Sequence, residues 1–203
     1  MKVKICGLST TEQVETSIDY GANYCGFILN YPKSHRFISY KKADQLTKID
    51  KNHSKYVGVL VSPTDIELEK FSKINLDYFQ IYGNFSADKI KNIKFRYKKK
   101  IIVSIQIESE KDVYKYKKFK EIADIILFDS SGFEKSLSWN FNWIKNINIT
   151  KMVAGNIDVN KLDSISNFVD IVDVSGALET NKVKDIVKIK NFLKKVKEIN
   201  DKN

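Results

Sequence analysis

Two arginines among 35 basic residues, two histidines, two prolines and two cysteines set the first limits on this chain of 203 residues. The scarcity of arginine argues against nucleic-acid recognition despite a formal net charge of +10, because phosphates and base edges favour the planar guanidinium over lysine's point charge. Basic and aromatic residues do interleave from Tyr114 to Phe119. That pattern is open to single-strand binding, but it reads more simply as a solvated helix face whose aromatics pack inward. A lysine-rich surface still draws an anionic small molecule toward the protein. Two cysteines in strand-like segments give no disulfide framework, and the isolated His35 and His53 make no metal site. No apolar run approaches the roughly 18 residues of a membrane span, so no membrane partner is expected. The sequence opens on a strand pattern instead of a basic segment followed by an apolar one. Neither a signal nor a transit peptide is expected, and the expected location is the cytoplasm.

What is present is a regular alternation of strand and helix signals with no linker or composition break. Strands are expected at Lys2–Leu8, Tyr24–Leu29, Tyr56–Val61, Leu76–Ile81, Ile101–Ile105, Ala123–Phe128, Met152–Ala154 and Ile171–Val174. Between them, Thr10 with Gln13 forms a capping-box pattern, Ser39 caps a helix to about Ile49, and Ser62-Pro63 starts a helix carrying Ile66 and Phe71. Ser86 opens another. A charged helix is expected from Glu110 to Phe119, an aromatic one around Phe141, Trp143 and Ile144, and a last one carrying Ile186, Ile189, Leu193 and Val196. Eight strand–helix units imply a parallel sheet, and eight close into a barrel more readily than they lie open. The expected architecture is therefore α/β, a single (β/α)8 TIM-barrel domain over residues 1–203.

Two strand ends carry chemistry. Cys6 follows the first strand pattern and precedes Gly7, and Ile125-Ile126-Leu127-Phe128 delivers Asp129 into Ser130-Ser131-Gly132. A thiol and a carboxylate at strand ends are a candidate base and acid. A barrel would bring them to one rim, where Gly7, Gly83, Gly132, Gly155 and Gly176 also fall just beyond strands. By itself Cys6 reads more readily as a small buried hydrophobe, and Cys25, inside a strand, keeps that reading.

The sequence also resembles a family. Lys4-Ile5-Cys6-Gly7-Leu8, Gly21-Ala22, Gly26-Phe27 and Tyr31-Pro32-Lys33-Ser34-His35-Arg36-Phe37-Ile38-Ser39 are similar to phosphoribosylanthranilate isomerases. So are Val57-Gly58-Val59, Gln80 with Gly83, Asp129, Trp139, Ala154-Gly155, Asp173-Val174-Ser175 and Glu179-Thr180-Asn181 with Lys184-Asp185. The resemblance implies an Amadori rearrangement of N-(5-phosphoribosyl)anthranilate in tryptophan biosynthesis, with Cys6 as general base and Asp129 as general acid. It implies no metal or organic cofactor, since the iminium formed on ring opening is its own electron sink. It assigns Arg36 to the anthranilate carboxylate, and the backbone around Gly155, Asn156, Gly176 and Ala177 to the phosphate. An arginine kept in a lysine-rich sequence fits a need for the planar fork, with a surface arginine in a polar loop as the lesser reading.

The sequence departs from the family at Asn156, where a second glycine is usual, at Ala177, at Tyr82, where histidine is usual, and in the stretch Ser130–Ser136. Other readings stay open: another phosphate-binding barrel aldolase or synthase, for which Lys4 is the candidate Schiff-base lysine, or a binding protein that has lost catalysis. The expected partner is a phosphorylated small molecule, not nucleic acid, with monomer and homodimer both open.

Overall fold

Eight short strands close into one parallel barrel: β1 (Lys2–Cys6), β2 (Tyr24–Ile28), β3 (Lys55–Val61), β4 (Tyr78–Tyr82), β5 (Lys100–Ile107), β6 (Ile125–Ser130), β7 (Lys151–Val153) and β8 (Ile171–Val174). The computed structural model describes residues 1–131 and 137–202. Expectations about Gly132 and the stretch to Ser136 fall outside the described residues. Closure is made by β1 against β8, with Lys4 opposite Asp173 and Ile5 opposite Val174.

The helices α1 (Thr11–Asp19), α2 (Tyr40–Leu46), α3 (Asp65–Ser72), α4 (Ala87–Tyr97), α5 (Glu110–Val113), α6 (Leu162–Ile165) and α7 (Ile186–Asn200) alternate with the strands. Side-chain alternation divides each strand between two environments. Ile5, Phe27, Leu60, Phe79, Ile101 and Phe128 belong to the apolar layer packed under the helices, and α7 adds Ile189, Phe192, Leu193, Val196 and Ile199 to it. Each such side chain stabilises the fold by about 1.5–3 kcal/mol through burial. Toward the axis the strands contribute a second set that includes Cys6, Tyr24, Val57, Val59, Tyr78, Tyr82, Ile102, Leu127 and Met152.

Several local expectations are corrected. The helix assigned to Ser62-Pro63 starts two residues later: Thr64 caps it in a reciprocal box with Glu67, while Ser62 turns left-handed at φ 44° and donates its N–H to Tyr82 O at 2.7 Å. Ile66 consequently faces solvent. At α1 the Thr10 side chain accepts from Gln13 N, but the Gln13 amide oxygen accepts from Ser9 N and not from the cap itself. The helix expected from Glu110 to Phe119 is one α-turn followed by a 3-10 turn over Tyr114–Lys118, and that over Phe141–Ile144 is also 3-10. In Tyr114–Lys118 no side chain is buried. Tyr114 lies in solvent beneath Lys117, whereas Tyr116 meets Phe128 edge-on. With so little apolar surface to fasten it down, an α-helical continuation gains little there.

Candidate active site

A cavity opens at the carboxyl ends of the strands, where barrel enzymes place their sites. Its wall brings together Cys6, Arg36, Asp129, Gly155, Asn156, Gly176 and Ala177. Cys6 is the last residue of β1 but is no open exit: it is only 7% exposed. Asp129 is not beyond its strand either, because β6 runs on through Ser130 in register with β5, Gln106 opposite Asp129 and Ile107 opposite Ser130. Both positions are thus fixed by the sheet pairing. Cys25, opposite Ile5, lies in the outer layer, where burial pushes its thiol up to about 12.

The floor of the cavity holds charges that local sequence pattern does not reveal. Lys4 is wholly buried, and its ammonium donates to both oxygens of Asp173, at 2.9 and 2.8 Å. Burial works against the charge on Lys4, but Asp173, with a smaller contribution from Cys6, outweighs it and raises its pKa, so this amine stays protonated and is no Schiff-base nucleophile. Above it, burial raises the Cys6 pKa, opposed chiefly by Lys4 and less by Lys184. Asp129 is half-buried, and its pKa is raised to about 6. Desolvation is the main cause, and a hydrogen bond from Tyr82, whose hydroxyl donates to Oδ2 at 2.7 Å, works against it. Gln80 Nε2 in turn donates to the Tyr82 hydroxyl at 3.2 Å. Tyr82 therefore supplies a neutral donor where the family commonly has an imidazole.

At the rim, Arg36 lies across the turn after β1. A Cβ on Gly7 would stand 2.6 Å from Arg36 Cδ, so the absence of a side chain there is what admits the arginine. The guanidinium is bidentate on Glu179, Nε to Oε1 at 2.5 Å and Nη2 to Oε2 at 2.9 Å. Lys184 pairs with the same carboxylate, and His35 Nε2 is 3.1 Å from it. Arg36 and Lys184 hold Glu179 down at about 2 against the opposing effect of burial. Glu179 and Lys184 sit on a small hairpin, β9 (Glu179–Thr180) and β10 (Val183–Lys184), turned by Asn181 and Lys182 at φ 52° and 63°. These positive angles suit a two-residue hairpin turn, for which Asn181 was the one available signal.

After β7, Gly155 and Asn156 take φ of 112° and 48°, so asparagine does occupy the left-handed region here. Trp139 Nε1 donates to Ala154 O at 2.8 Å, and Lys161 Nζ to Asn156 O at 2.6 Å, bracing this turn. Gly176 and Ala177 open a 3-10 turn after β8. Sequence reasoning missed the Lys4–Asp173 pair and the Glu179 brace. Their partners lie 169 and 143 positions apart, beyond the reach of local pattern. Among the described residues no three His, Cys, Asp or Glu side chains gather as a metal-binding group.

The family model described as N-(5′-phosphoribosyl)anthranilate (PRA) isomerase matches residues 3–195. The chain is 36% identical over 203 residues to the N-(5′-phosphoribosyl)anthranilate isomerase of Streptococcus gordonii, covering 97% of this chain and 98% of that one. Among solved structures it is similar to phosphoribosyl anthranilate isomerase from Thermotoga maritima, with a TM-score of 0.86, 27% identity and coverage of 98% of this chain and 99% of that one. A phosphoribosyl anthranilate isomerase in complex with reduced 1-(o-carboxyphenylamino)-1-deoxyribulose 5-phosphate is similar at a TM-score of 0.84 and 26% identity, with coverage of 98% and 99%.

Proposed function

Because the chain belongs to the N-(5′-phosphoribosyl)anthranilate isomerase family and is an aldose–ketose isomerase of tryptophan biosynthesis, we propose that Cys6 and Asp129 are the base and the acid of its reaction. The observation that carries this reading is their convergence: side chains from β1 and β6, strands separated in the barrel by β8 and β7, line one cavity. Asp129 gives its proton to the furanose ring oxygen as the C1–O bond breaks, and the nitrogen lone pair closes an iminium. The Cys6 thiolate then removes the proton from C2, the electrons of that C–H bond flow into the iminium, and the enolamine tautomerises to the aminoketose. The reaction needs no outside oxidant or reductant.

The substrate's two anionic groups call for different partners. Arg36 meets the anthranilate carboxylate, its charge and plane held by Glu179. The phosphate lies against the backbone of Gly155, Asn156, Gly176 and Ala177, as barrel enzymes use the turns after their seventh and eighth strands. The similar enzyme solved with a carboxyphenylamino-deoxyribulose phosphate handles a ligand with the same two groups.

The order of the two titrations shapes the pH dependence. Asp129 titrates near 6, and Cys6 titrates above the ordinary thiol range. With one proton on the pair, that proton resides mostly on the thiol, so the competent form, thiolate with carboxylic acid, is a minor tautomer. Activity still follows a bell, but its low-pH limb belongs to Asp129 and its high-pH limb to Cys6. This inverts the assignment that roles alone would give. The test is turnover of phosphoribosylanthranilate followed by loss of its fluorescence. Cys6→Ser is expected to lower kcat at least about a thousandfold with KM little changed, since a serine hydroxyl supplies no anion near neutral pH. Retention of most of the wild-type kcat would place the base elsewhere.

A further inference from the structure

Gly26 stands in the interior of β2, opposite Cys6 in the register with β1. Glycine weakens a strand, and one that stands there often marks a close approach. Here the approach is specific. A Cβ on Gly26 would lie 3.0 Å from Lys4 Cε, 3.1 Å from Lys4 Nζ and 3.2 Å from Cys6 Sγ. The space that a side chain would fill is therefore bordered both by the buried ammonium and by the thiol. No larger residue fits without pushing one of them aside.

We infer that Gly26 is a positioning residue: it opens the gap through which Lys4, anchored by Asp173, acts on the Cys6 sulfur and makes that buried thiol able to ionise. For its catalytic consequence this rests on Cys6 being the base. The thiol's own chemistry does not depend on that reading.

The charges around the sulfur fix the expected signs. Lys4 faces it from the same strand, Asp173 from β8, Lys184 from β10 and the Tyr82 hydroxyl from β4, while β2 contributes only the gap. Burial works against the thiolate, and Lys4 is the largest influence opposing it. Asp173 has the contrary sign on the sulfur yet holds the ammonium in place, so the pair acts as an anchored cation. Cys25, next to Gly26 in sequence, faces the other layer and provides a control within the same chain.

The test reads the thiol directly. The native full chain is treated with iodoacetamide across about pH 6 to 11, and carbamidomethylation of the Cys6 peptide is followed by mass spectrometry. In Gly26→Ala the inflection is expected to move up by about one pH unit, with the rate at pH 8 falling roughly tenfold. The double variant Lys4→Met/Asp173→Asn, which leaves no unpaired charge, is expected to move it the same way. Asp173→Asn alone is expected to move it down. Circular dichroism and a cooperative thermal transition certify that each variant is folded, and should Gly26→Ala fail to fold, the double variant decides. A wild-type inflection in a folded variant overturns the inference. Full turnover by Cys6→Ser, in contrast, would remove Cys6 from the reaction and leave this result standing.

Discussion

Toward the helices the barrel strands present Val3, Ile5, Cys25, Phe27, Phe79 and Phe128, all buried and none charged. Toward the axis the same strands present Lys4, Cys6, Gln80, Tyr82, Asp129 and Asp173, buried just as deeply at several positions. The outer face stabilises by removing apolar surface from water. The inner face spends part of that gain: an ammonium and two carboxyls are desolvated, and the buried Gln80 Oε1 and Ser104 Oγ have no hydrogen-bond partner among the described residues. One sheet therefore has an apolar face and a face that carries charged groups into the cavity, and substitutions on the two should fail in different ways.

Asp129→Asn is expected to show the greatest separation. Turnover should fall by about 10²- to 10⁴-fold, because an amide fills the space but delivers no proton. Stability should move the opposite way. The folded-state pKa of Asp129 is raised to about 6, so its carboxylate form disfavours the fold, and that penalty sets in as pH rises from the ordinary carboxylate range through about 6. Thermal unfolding at pH 8 should then show a higher Tm for the variant; a fall in Tm would break the comparison.

On the outer face, Phe79→Ala removes a fully buried ring that meets Tyr97 edge-on. It should destabilise by about 3–5 kcal/mol in urea denaturation, with kcat close to wild type well below the transition. Arg36→Lys keeps the charge but not the two parallel bonds. It should raise KM for phosphoribosylanthranilate by an amount equivalent to about 1.5–3 kcal/mol, with a lesser effect on kcat. Tyr82→Phe should have the smallest effect and the most telling sign. Loss of the donor to Asp129 raises the carboxyl pKa further, so the low-pH limb of kcat/KM should move up by less than about one unit. A downward shift would show that Tyr82 does not act on the acid in this way.

The outer face was the legible one. Runs such as Ile101-Ile102-Val103 and the i, i+3, i+7 spacing of Ile186, Ile189 and Leu193 report burial locally, and the eight strands follow from them within a few residues. The inner face was legible mainly near strand ends, at Cys6-Gly7, at Asp129 and at the glycines after β7 and β8. Lys4 stood open to a Schiff-base reading because its carboxylate partner arrives from β8, out of reach of local pattern. The extension of β6 through Ser130 escaped notice because its last inward side chain is a carboxylate, which pattern assigns to a loop. Glu179 was visible as a motif residue, but its grip on Arg36 required the hairpin to fold back over the rim.

Closure of the barrel by β1 against β8 has a consequence in time. Of the eight barrel strands the one made first pairs with the one made last, since Lys4 waits for Asp173, 169 positions later. Until then β1 has an unpaired edge and Lys4 lacks its counter-charge, so the surroundings of Cys6 are not complete on any nascent chain that stops short of Ile171. At the opposite end of the barrel the amino terminus of Met1 donates to Asn200 Oδ1 at 2.7 Å, fastening the start of the chain to its final helix. Closure of the barrel and assembly of the charges around Cys6 are thereby tied to the same seam.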